Sequence, residues 1–170
     1  MWSFNFSMRF FILIFALLMI LSTGYAQSLE KANKVVIEKS ARTLTLYSDS
    51  RVIAAFKIAL GRSPIGEKEC DGDNKTPEGV FRVTEHKANS AYHRALRLSY
   101  PEASNTMAAA AKGCKPGSDI MIHGIRNGFG WVGRWHRLFD WTRGCVALTN
   151  EEIEKVWELV SDSTIVEIKA

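Results

Sequence analysis

The chain has 170 residues, of which 46% are hydrophobic, 24% charged and 11% aromatic, and its formal charge is +4. That profile fits one globular domain with enough apolar mass for a real core. The charge is mild and contains no basic run of the kind that tracks a phosphate backbone, so nucleic acid is excluded as the expected partner; a substrate with scattered carboxylates suits it better.

In chain order, Arg9 precedes an uncharged apolar run, "FFILIFALLMIL" (residues 10–21), followed by small residues at Gly24 and Ala26. This pattern predicts an export signal over residues 1–26, cut after Ala26. Twelve apolar residues make about 18 Å of helix against a hydrocarbon core of about 30 Å, which argues against a membrane anchor. No cysteine sits at the cleavage point to take a lipid, and loss of Arg9 lowers the formal charge to +3. Residues 27–33 read as a short linker and 34–169 as a single domain. The expected location is the periplasm or cell envelope, after secretion across the inner membrane.

Within that domain "KVVIEKSARTLTLYSDSRVIAAFKIALG" predicts strands, with Leu44 and Leu46 alternating with Thr43, Thr45 and Tyr47 around a polar "SDS" turn. A long glycine-bearing loop leads to a strand at "VFRVTEH", and residues 102–112 read as a helix stopped by Gly113. "DIMIHG" is a short apolar strand ending in His123, and "CVAL" a buried one. Thr149 with Glu152 makes a capping box for "NEEIEKVWELV", whose Ile153, Val156, Trp157 and Val160 share a face, and "TIVEIK" closes the chain as a strand. The fold class is mainly β, of the α+β kind.

Three cysteines in an exported chain leave one over. Cys70 lies in the glycine-rich loop and Cys114 just past a helix end, so they are the candidate disulfide, with all three unpaired as the alternative. Cys145 in "WTRGC" could be a core thiol, half of a bridge, a metal ligand or a nucleophile. As a nucleophile it needs help, because an unperturbed thiol is only about 3% ionised at pH 7. Of the four histidines, His86 and His93 lie in a polar stretch and read as surface, and His136 could cap, stack or contact substrate. His123, at a strand tip beside a glycine, has the setting of a general base, although a hydrogen-bonded core histidine fits the spacing equally. His123, His136 and Cys145 make at best an incomplete zinc set, with no Cys-x-x-Cys and no fourth ligand, so neither a metal nor another cofactor is expected.

"IHGIRNGFGWVGRWHRLFDWTRGCVALTNEE" resembles the signature of L,D-transpeptidases with a YkuD-type catalytic domain. There a His-Gly, here His123-Gly124, is followed after a variable loop by Ser or Thr, any residue and Gly-Cys, here Thr142-Arg143-Gly144-Cys145. The resemblance extends through "VVIEKSARTLTLY", "IALG", "GDNKTPEGVFRV" and "SYPEASN". It implies a compact β-sandwich with small helices, Cys145 as nucleophile and His123 as proton acceptor and donor. It also implies a backbone carbonyl, that of Gly124, orienting the ring. The implied reaction is attack on a peptidoglycan stem peptide at its third residue, loss of D-Ala, and a thioester resolved by an amine. The turn at Arg143 and Gly144 would offer backbone N–H donors to the oxyanion.

One departure is Ala147, where many members carry Arg or Asn two positions past the cysteine. Candidate substrate contacts are therefore Thr142, Arg143, Arg126, His136 and Trp141. The loop 125–143 also holds Arg134, Arg137, Phe129, Trp131, Trp135 and Phe139, and is expected either to cover the thioester as a lid or to divide into core aromatics and solvated arginines. The implied partners are stem peptides, a wall-anchored lipoprotein amine and carbapenem-type inhibitors. The alternatives are a hydrolase of the same fold, an L,D-carboxypeptidase or a lipoprotein-releasing amidase, and a non-catalytic wall-binding module.

Overall fold

The computed structural model describes residues 30–170; the expected export signal and the start of the linker lie outside the described residues. Eight strands form one sheet: β1 (Ala32–Glu38), β2 (Thr43–Ser48), β3 (Arg51–Lys57), β4 (Gly79–Ser90), β5 (His93–Leu98), β6 (Met121–His123), β7 (Val146–Ala147) and β8 (Val160–Lys169). Their order across the sheet is β3-β2-β1-β8-β4-β5-β6-β7. Among the described residues two α-helices, α1 (Ala103–Ala111) and α2 (Asn150–Leu159), lie between the strands. β1 begins at Ala32, inside the stretch read as linker.

The alternation read from sequence sets the first half of the sheet. Val35 faces Leu46 and Ile37 faces Leu44 across the antiparallel β1–β2 pair, and all four are fully buried. On β8, Thr164, Val166 and Ile168 point inward in the same two-residue rhythm. The twelve-residue β4 joins the halves: Gly79–Arg82 pair with β8, and Val83–Ser90 continue onto β5 through two register shifts. The sheet then curls until its ends meet. Just past β3, Ala59 bridges Ala147 of β7, and Gly61 bridges Thr142.

One core fills the curl, drawing Leu44 and Leu46 from one half and Leu96, Leu98, Ile122 and Val146 from the other. α2 closes it with Ile153 and Val156, started by the Thr149–Glu152 capping box, worth about 1 kcal/mol. Trp157 is half-buried, with the Arg94 guanidinium 4.8 Å over its ring. β5 has no counterpart in the sequence reading, because "HRALRL" interrupts its apolar residues with arginines. The loop 125–143 contains a 3-10 helix, Gly130–Leu138, broken at Gly133, where φ is +52°.

Candidate active site

Two short strands set the site. β6 and β7 pair in parallel, Ile122 with Val146 and His123 with Ala147. Paired residues share a face and faces alternate, so Cys145, two residues before Ala147, shares the face of His123. The same alternation carries Met121 there, and these three line a cavity of about 790 Å³ together with Asp119, Tyr92 and Trp141.

The His123 ring is packed between Tyr92, with centroids 4.6 Å apart, and Trp141, at 5.7 Å. Its Nδ1 lies 2.6 Å from the Gly124 carbonyl oxygen. A carbonyl only accepts, so Nδ1 carries the proton and Nε2 keeps its lone pair. Burial pushes the His123 pKa down to about 4, partly opposed by that carbonyl. The ring is therefore a neutral base above that pH. Gly124 is fixed from outside: a Cβ there would come within 2.9 Å of Asn150 Oδ1 and 3.1 Å of His93 Cβ. Asn150 Oδ1 in turn accepts the Ile125 N–H at 2.9 Å.

Cys145 is a free thiol, with Cys70 and Cys114 joined in a disulfide whose Cα atoms are 5.8 Å apart. Its S–H donates to the Asp119 carbonyl at 3.4 Å, and burial raises its pKa. The resting pair is thus neutral thiol and neutral imidazole. The turn before it is stitched by Thr142, whose Oγ1 donates to the Cys145 carbonyl at 2.7 Å and accepts the Gly144 N–H at 3.1 Å. Thr142 is pinned by its own N–H to the Leu60 carbonyl and by its carbonyl to the Arg62 N–H. Gly144 sits at φ +132° with the Lys75 carbonyl 2.6 Å from where a Cβ would be, so only glycine fits.

Of the candidate substrate residues, Arg126, Trp141, Thr142 and Arg143 line the cavity. His136 does not: it is buried behind Trp141, whose Nε1 donates to its Nδ1 at 3.3 Å. No residue from 127 to 140 lines the cavity, so the loop is not seen as a lid. Nor are its aromatics core, since Trp131, Trp135 and Phe139 are each more than 70% exposed. His86 and His93 are half-buried in pairs with Asp162 and Glu154. Ala147 is fully buried, paired along the sheet with Ala59 on one side and His123 on the other. Arg62 and Lys87 line the cavity but were not identified from sequence, since nothing local marks either as facing it; Met121 could have been found by alternation back from His123. Among the described residues, no three His, Cys, Asp or Glu side chains gather as a metal site.

A strand-rich curled sheet with a cysteine and a histidine at paired strand ends defines the class. Residues 32–168 match the YkuD family, the L,D-transpeptidase catalytic domain, and the chain belongs to that family. It is 28% identical over 137 residues to the "Putative L,D-transpeptidase YafK" of Escherichia coli (strain K12), covering 77% of this chain and 48% of that protein. It also resembles the crystal structure of the helical cell shape determining protein Pgp2 (K307A mutant) from Campylobacter jejuni, at TM-score 0.64 and 25% identity, over 82% of this chain and 47% of that one. The L,D-transpeptidase LdtMt1 solved with imipenem shares the fold, at TM-score 0.54 and 15% identity over 80% of this chain and 58% of that one. The chain spans about half the length of the curated relative it matches.

Proposed function

We propose that this chain is a cysteine L,D-transpeptidase of the cell envelope that transfers peptidoglycan stem peptides to an amine through a thioester on Cys145. The observation that carries this reading is the β6–β7 pairing, which sets His123 and Cys145 on one face of one cavity with Nδ1 of the histidine already occupied.

The thiol leaves the Asp119 carbonyl and passes its proton to His123 Nε2 as sulfur bonds to the carbonyl carbon of the third stem residue. The Gly144 N–H is held by Thr142, so the amides of Arg143 and Cys145 serve as donors to the oxyanion. Each such donor is worth about 2.7–4 kcal/mol in the transition state. As the tetrahedral carbon collapses, the C–N bond breaks and the imidazolium protonates the departing D-Ala amine, leaving the thioester. An acceptor amine then gives its proton to Nε2, bonds to the acyl carbon and restores the thiol. Cys145 labels with carbapenems by the same attack, opening the lactam; the imipenem complex of a fold neighbour supports this.

Incubation with purified tetrapeptide muropeptides tests the reading. Cross-linked dimers with release of D-Ala are expected, and none with Cys145→Ala. Tripeptides alone would mark a hydrolase, and no turnover would remove the enzymatic reading.

A further inference from the structure

Four cations line the catalytic cavity, and each comes from a different part of the fold. Arg62 follows β3, Lys87 lies on β4, Arg126 follows β6, and Arg143 precedes the nucleophile. None of the four side chains has an ion-pair or hydrogen-bond partner among the described residues. The cavity's one carboxylate, Asp119, is occupied by Arg97. Arginines elsewhere are mostly satisfied: Arg42 pairs with Asp140, Arg94 with Glu154 and Arg137 with Glu152. Of the four arginines whose side chains have no partner among the described residues, Arg62, Arg126 and Arg143 line the cavity and Arg134 does not. Like charges converging on one concavity repel one another, and an anionic ligand relieves that repulsion.

We propose that Arg62 and Lys87 are specificity-determining residues that make this site select acyl donors with free carboxylates over the same donors with carboxamides. This rests on the transpeptidase reading and adds to it which chemical form of stem peptide is used. A stem peptide presents carboxylates at its C-terminus and on its side chains. Amidation of a side-chain carboxyl keeps its shape but removes the charge and one strong acceptor oxygen. A guanidinium or ammonium facing a carboxylate makes the stronger, charge-assisted bond, and it loses that bond to a carboxamide. The position two past the cysteine supplies no cation in this chain, because it is Ala147, which is fully buried. Arg62 and Lys87 supply positive charge to the cavity from two separate segments, the one after β3 and β4 itself. Arg62 donates its N–H to the Thr142 carbonyl, and Lys87 sits in the β4–β5 ladder opposite Ala95.

The test compares two tetrapeptide donors, identical except that one has its side-chain carboxyls amidated. Wild-type protein is expected to favour the free acid by about tenfold or more in kcat/KM. That preference should shrink as salt rises from about 20 to about 500 mM, as screening requires. The double variant Arg62→Gln with Lys87→Met is expected to bring the two donors within about twofold of each other. The charge-preserving pair Arg62→Lys with Lys87→Arg should keep the preference, which a merely structural role would not require. Equal turnover of both donors by wild type, or an undiminished preference in the neutral double variant, overturns the proposal and leaves the transpeptidase reading standing. Turnover of neither donor removes both.

Discussion

Thr142 Oγ1 donates to the carbonyl of Cys145, the residue three positions on, and at the same time accepts the N–H of Gly144 between them. One hydroxyl therefore fixes the turn that presents Cys145. Thr142→Val keeps the shape of the side chain, strands the buried Gly144 N–H and frees the Cys145 carbonyl. A buried donor left without a partner costs about 1–3 kcal/mol. Thr142→Val is expected to lower stability by that amount in urea unfolding and to reduce kcat/KM at least about tenfold. Thr142→Ser restores the hydroxyl and should recover most of both.

Gly144 is constrained from a second direction. The loop stapled by Cys70–Cys114 brings the Lys75 carbonyl against it, and the φ of +132° already disfavours any side chain. Gly144→Ala is expected to destabilise by at least about 1–3 kcal/mol, the usual cost of backbone held in such a region. Its thermal midpoint and its rate of thiol labelling should both fall. A variant that melts and labels like wild type would mean the turn does not hold its observed form.

The buried histidines set an acid limit. His123 and His136 each have a folded-state pKa of about 4, against an ordinary value of 6.5, with burial the leading cause. Between those values the unfolded chain binds more protons, so stability is fully present above about pH 6.5 and is lost as pH falls toward 4. For His123 the loss approaches roughly 3 kcal/mol. Urea midpoints measured from pH 7 down to 4.5 should fall steadily, and His136→Phe should flatten part of the slope. A level profile would contradict the burial of both rings.

Sequence legibility followed the distance between cooperating residues. His123 and Cys145 could be read because each ends or begins an apolar strand beside a glycine, and α2 because its capping box and apolar face lie within twelve residues. β5 was illegible: its inward residues are interleaved with arginines that pair with Glu85 and Glu154, partners known only after folding. Arg62 and Lys87 reach the cavity through the curl of the sheet, which no local pattern records. The exposed Trp131 and Trp135 show the opposite failure, since hydrophobicity suggested core or lid and tertiary packing turned them outward, with His136 buried instead.

Intact mass after incubation with imipenem tests the central claim most directly, because only an activated thiol at position 145 opens the lactam and keeps the acyl group. Wild-type protein should gain the mass of one imipenem, His123→Gln should gain it at least about a hundredfold more slowly, and Cys145→Ala should gain nothing. A wild-type mass that stays unmodified, or an adduct that persists in Cys145→Ala, would contradict the account.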